Sequence, residues 1–258
     1  MTLLQRLCTL GVAIPFAMLA GAHAHAADLR TFAGIETGLG TFSFEEKLDN
    51  EVVYPVVNLT AGVAYGRFST AVNISGSIAD ADVSEEDYTG DASRTDFDLI
   101  AGYQVLNYLN VFVGYKSGET ELDLVGRDEE DPIRGTESYQ QSGPFVGVSA
   151  SWRPTETGKL DVSIAYAALD ADNKFISDGG ELEPGEEIEF DDIQGSTSGD
   201  SSGYSLSVSW TMPITGNLLF RTRYRYNSYE QDIEFEGAKF NDIREESSSL
   251  TVGVLAAF

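Results

Sequence analysis

Residues 56–78 read VVNLTAGVAYGRFSTAVNISGSI, and their alternation decides the class of fold. Val57, Leu59, Ala61, Val63 and Tyr65 fall on one face of an extended chain, and Asn58, Thr60, Gly62, Ala64 and Gly66 fall on the other. Successive strand side chains point to opposite faces, so a period of two gathers the apolar groups on one side. After Gly66-Arg67 the pattern restarts, with Phe68, Thr70, Val72, Ile74, Gly76 and Ile78 opposed by Ser69, Ala71, Asn73, Ser75 and Ser77. Two such runs across a tight turn make a β-hairpin with one apolar face and one small, polar face.

The same reading outward from this hairpin predicts ten strands, at about 29–44, 55–66, 67–79, 95–106, 109–118, 139–152, 159–170, 203–212, 218–229 and 247–258. Short turns near 66–67, 106–109, 153–158 and 213–217 alternate with long acidic loops at 45–54, 80–94, 119–138, 171–202 and 230–246. Ile188 with Phe190, and Ile233 with Phe235, carry the alternation on into two of those loops. The expected fold is all-β: a closed antiparallel up-and-down transmembrane barrel, with eight or twelve strands if one hairpin is split or merged. Hydrocarbon offers no partner for a free N–H or C=O, so such a sheet must close on itself. An even strand number puts both termini on the short-turn side, which is periplasmic in this reading.

A soluble β-sandwich alternates too, but its solvated face carries Lys, Glu and Arg, whereas here the polar face is Ser, Gly, Ala, Asn and Thr. The aromatics also fall at two levels. Tyr65, Phe68, Tyr108, Trp152, Trp210 and Phe220 lie near the short-turn ends of their strands, and Phe42, Tyr54, Tyr115, Tyr139, Tyr166, Tyr204 and Tyr226 lie toward the other ends. Two such belts are expected at the two interfaces of a membrane.

Residues 1–26 read as a cleaved secretory signal peptide: Arg6, an apolar run from Leu7 to Leu19, and the small-x-small site Ala24-His25-Ala26. Residues 27–258 then form a single barrel domain. Cleavage removes Cys8, His23 and His25, the only cysteine and histidines. Ser-His-Asp, Cys-His and His-ligated zinc chemistry are thereby excluded from the mature chain.

The chain ends Leu250-Thr-Val-Gly-Val-Leu-Ala-Ala-Phe258, with Leu250, Val252, Val254, Ala256 and Phe258 on one face. This resembles the closing strand of bacterial outer-membrane β-barrel proteins, although Ala256 replaces the aromatic often found two residues before the terminal Phe. The resemblance, to small porin-like or opacity-type barrels, covers residues 27–258 as architecture and the last strand as a motif. It implies an outer-membrane location, contact with lipid and lipopolysaccharide, and recognition of the last strand by the barrel-assembly machinery. It also implies that Tyr65, Phe68, Trp152, Trp210 and Phe258 sit at a membrane interface. Omptin-type outer-membrane proteases have ten strands as well, but their active site needs a histidine, so the expectation is a protein that is not an enzyme.

The 42 acidic against 16 basic residues give a charge of -26 and a pI near 4.1, which excludes binding to nucleic acid through a basic footprint. Most of the acids fall in the five expected loops, an acidic crown able to attract divalent cations without specificity. Asp170, Asp172, Asp178 and Glu181 share an EF-hand-like spacing, but Lys174 and Phe175 stand where a ligand and the turn glycine belong, so no specific metal site and no cofactor are expected.

Within the expected strands the charges point to the polar face: Glu36, Asp98, Lys116, Asp161, Arg221, Arg223 and Arg225. Two functions follow. Arginines paired with Glu36, Asp98 and Asp161 would plug the barrel and leave a surface or structural protein. Arginines facing water would line a narrow porin-like channel for small solutes or ions. About eight strands enclose only side chains and sixteen to eighteen an open pore, which at ten strands favours the plug.

Overall fold

The computed structural model describes residues 29–45, 48, 51–85, 88–127, 134–154, 158–177, 195–235 and 238–258. The expected signal peptide, with Cys8, His23 and His25, lies outside them, as do Asp178, Glu181, Ile188 and Phe190. Among the described residues eleven strands run in chain order: β1 (Leu29–Phe44), β2 (Val52–Tyr65), β3 (Phe68–Ser77), β4 (Ala81–Ser84), β5 (Tyr88–Leu106), β6 (Leu109–Gly126), β7 (Arg134–Trp152), β8 (Lys159–Ser177), β9 (Gly195–Pro213), β10 (Leu218–Phe235) and β11 (Ala238–Ala257). Sequential strands pair antiparallel, except that β3 and β4 both pair with β5; β1 pairs with β11, and the sheet closes into a ring. At the seam, Thr31 N–H donates to Phe258 O (3.1 Å) and Phe258 N–H to Thr31 O (2.8 Å).

The expected count of ten is corrected to eleven by a bend at residues 78–80. Below it β3 pairs with the lower part of β5 (Phe68↔Tyr103 to Gly76↔Thr95), and above it β4 pairs with the upper part (Ala81↔Ala92 to Ser84↔Thr89). The loops are corrected too. Much of what reads as loop is strand: β5 begins at Tyr88, β6 runs to Gly126, β7 begins at Arg134, β8 runs to Ser177, and β9 begins at Gly195.

A switch of face explains the difference. Near the short turns the apolar residues point out of the ring, as with Ile35 and Leu39 of β1, Leu59 of β2, Val113 and Tyr115 of β6, and Ile164 and Tyr166 of β8. Further up the same strands the apolar residues point in. Phe42, Phe44, Val52, Tyr54, Val56, Leu122, Leu124, Tyr139, Phe175, Ile233 and Ile243 are buried together in one core that fills the long-loop end. Phe42, Tyr54 and Tyr139, expected in the upper outer belt, therefore belong to this interior. Tyr115, Tyr166 and Tyr204 do point outward, exposed.

The outer face of these extensions carries the acids. Asp82, Asp91 and Asp123 stand directly opposite one another across β4, β5 and β6, and Asp170, Asp200 and Asp232 do so across β8, β9 and β10. Like charges directly opposed on neighbouring strands are destabilising. Asp200→Asn, which removes the middle charge of its row, is expected to raise unfolding stability by roughly 0.2–1 kcal/mol at low salt. The gain should fade as added salt screens the row in urea titrations.

Candidate functional site

The ring's interior is stratified. Toward the short-turn end the inward positions are small, and glycines there receive aromatic rings. A Cβ on Gly62 would stand 2.4 Å from the Phe32 ring, and one on Gly147 would stand 2.4 Å from the Phe112 ring. Both phenylalanines are thus seated against the wall over a neighbouring strand's glycine rather than across the bore.

Above them lies the arginine layer. Arg221, Arg223 and Arg225 point inward from β10, flanked in the ladder by Gly253, Thr251 and Ser249 of β11 and by Thr211, Ser209 and Ser207 of β9. The small neighbours give the guanidinium groups room to turn into the lumen. A register shift in β10 falls between Gln231 and Ile233, opposite the left-handed Asp242 (φ 58°) of β11. It lies beyond the arginines, so their inward parity is undisturbed.

Glu36, 1% exposed, receives Arg221 in a fork: Nε donates to Oε1 (2.8 Å) and Nη2 to Oε2 (2.7 Å). Arg223 Nη2 donates to the same Oε2 at 2.5 Å. Arg225 Nη1 donates to Asp98 Oδ2 at 2.6 Å. Lys116 stands opposite Asp98 in the ladder, but it donates to the Tyr229 hydroxyl and sits 4.5 Å from that ring's centroid. Asp161 is apart from the arginines: it takes Lys159 Nζ at 2.6 Å, near the short-turn end, and accepts a hydrogen bond from Ser151.

A second buried layer, which sequence reading did not find, separates the arginines from the apolar core. Arg94 Nη1 donates to Glu245 Oε1 and to Thr120 Oγ1, both at 2.9 Å, while Nη2 donates to Asp96 Oδ1 at 3.0 Å. The guanidinium carbon lies 5.2 Å from the centre of the Phe42 ring. Glu245 Oε2 accepts from Gln231 Nε2 (3.0 Å) and from Gln141, which in turn accepts from Ser201 Oγ at 3.1 Å. Arg94, Thr120, Ser201, Gln231 and Glu245 lay in expected loops, while Asp96 and Gln141 lay near the ends of expected strands. Only the shared parity of Arg94, Asp96 and Asp98 on β5 signalled that they face one interior.

A cavity of about 290 Å³ lies inside the ring beside Lys116, Arg221, Arg223 and Arg225. At the short-turn end Tyr65, Phe68 and Trp152 are exposed and Trp210 is half-buried beside Gly158. On β11, Leu250, Val252 and Val254 point outward, Ala256 is half-buried, and Phe258 is 73% exposed.

No protein-family model matches the chain, and no curated protein does. Solved structures do match. The outer membrane protease OmpT from Escherichia coli is similar with a TM-score of 0.55 and 10% identity, over 93% of this chain and 99% of that one. The translocator domain of the autotransporter NalP from Neisseria meningitidis is similar with a TM-score of 0.50 and 13% identity, over 98% and 94%.

Proposed function

We propose that this chain, whose fold is that of bacterial outer-membrane β-barrels, is a non-enzymatic outer-membrane barrel with a lumen closed to ions, presenting an acidic rim built from strands. The observation that carries this reading is the doubled closure at the long-loop end: an aromatic core packed across the bore and, beneath it, Arg94, Asp96, Glu245, Gln141 and Gln231 hydrogen-bonded across the ring. An ion passing through would have to part both. Insertion by the barrel-assembly machinery through the last strand, contact with lipopolysaccharide, periplasmic termini, and non-specific divalent cations at the rim belong to the same proposal. The protease neighbour lends no activity at 10% identity, and the sequence from 27 onward has no histidine for histidine-dependent hydrolysis.

Reconstitution in planar bilayers is the test, with no conductance steps expected from the refolded barrel. Regular steps would overturn the closed reading. They would favour the alternative supported by the cavity, a narrow arginine-lined channel, whose anion preference would then change in Arg223→Ala.

A further inference from the structure

We propose that the lumenal cavity is a blind binding pocket for a small oxyanion, a phosphate, sulfate or small carboxylate, entered from the short-turn end. Four cationic side chains line it, Lys116, Arg221, Arg223 and Arg225, against one carboxylate, Asp98. Glu36 is shared by Arg221 and Arg223, and Asp98 holds Arg225, so two carboxylates serve four cations in this layer. The next layer holds two carboxylates, Asp96 and Glu245, on the single cation Arg94, so the two layers together carry five cations against four carboxylates. A surplus of buried positive charge is costly unless a counter-charge meets it, and a bound anion supplies one.

The wall beside the arginines has the matching chemistry. Ser149 of β7, Ser163 of β8 and Ser207 of β9 stand in one lateral row that ends on Arg225 of β10, and all line the cavity. Hydroxyls and guanidinium groups are both hydrogen-bond donors to oxyanion oxygens, and the guanidinium adds charge. About 290 Å³ equals the liquid volume of roughly ten waters, at about 30 Å³ each. That is space for a small oxyanion with part of its hydration.

Access follows from what lies below. Phe32 and Phe112 are parked over Gly62 and Gly147, and the inward-facing Ser69 of β3 is exposed. The opposite end is shut by the Arg94 layer and the aromatic core. The inference goes beyond the closed-barrel reading, because binding requires neither conduction nor its absence.

The test is equilibrium dialysis of radiolabelled inorganic phosphate against the full barrel, refolded in zwitterionic detergent. One saturable site per barrel is expected. Loss of one charge-assisted donor in Arg223→Gln should weaken it about tenfold or more. Ser207→Leu, which fills the cavity and leaves every charge in place, should abolish it. Arg127→Gln, which alters an exposed arginine at the far end that bonds Ser84, should leave it unchanged. Folding of each variant is read from the mobility difference between unboiled and boiled samples. Absence of saturable binding to the unaltered barrel at millimolar phosphate overturns the proposal. So does binding that persists in folded Ser207→Leu, or that falls equally in Arg127→Gln, either of which would mean attraction to surface charge.

Discussion

Glu36→Gln should lower the stability of the folded barrel by about 3–5 kcal/mol, the usual cost of removing one partner from a buried ion pair. The reason is local. Glu36 is the carboxylate on which both Arg221 and Arg223 converge, and among the described residues no other acid is bonded to either. Glutamine keeps the size and one carbonyl acceptor but leaves two guanidinium groups without their counter-charge, in a layer whose ladder neighbours are glycine, serine and threonine. Urea unfolding in micelles measures the loss. The double variant Glu36→Gln/Arg221→Met should recover part of it by removing one of the stranded charges. Asp161→Asn is the contrast: Asp161 and its partner Lys159 are 28% and 45% exposed, and solvent screening should hold the change to about 1 kcal/mol or less. Equal losses for Glu36→Gln and Asp161→Asn would mean that the arginine layer is as wet as the surface.

Tyr139→Ala should cost about 3–5 kcal/mol, the range for truncating a large aromatic in a packed core. Tyr139 is 2% exposed, its ring centroid lies 4.5 Å from that of Phe44 and 5.7 Å from that of Phe175, and its hydroxyl donates to Glu137. Truncation opens a hole between β1, β7 and β8 and strips Glu137 of that donor. The damage should be confined to the upper half, where the core lies. Limited proteolysis should cut the long-loop end sooner, while the mobility difference on heating, which reports ring closure, persists. A loss under about 1 kcal/mol would mean that the upper core is loosely packed.

The ring, its pairing order and the inward arginines were legible in sequence because each rests on unbroken alternation. In β10, Arg221, Arg223 and Arg225 keep one parity through a ladder with no shift, so local reading sufficed. The upper storey was not legible for the opposite reason. Alternation continued there, but its apolar members changed sides, from Ile35 and Leu39 outward to Phe42 and Phe44 inward, and from Val113 and Tyr115 outward to Leu122 and Leu124 inward. In β6 a reading of outward apolar rows stops before that change, at 118, and gives a loop, whereas in β1 the expected strand ran through it to 44 and put Phe42 in the outer belt. The change of parity is itself the signal, since it marks where the surroundings of the wall stop being apolar. The pairing of the arginines with Glu36 and Asp98 was one of two sequence readings; which arginine meets which acid depends on where the ring closes between β1 and β11, and Asp161, expected among their partners, is paired with Lys159 instead.

From Tyr115 to Gly126, β6 climbs eleven residues, all paired to β7 or β5. At about 3.3 Å per residue and a tilt near 40°, that is a rise of roughly 25–30 Å, about the thickness of a hydrocarbon layer. Surface barrels are usually pictured as offering floppy loops, which a partner must first freeze. Here the ladder and the aromatic filling have done that ordering in advance. A molecule that engaged the flanks of this collar would meet a stiff palisade at fixed height and would forgo the entropic penalty of taming it.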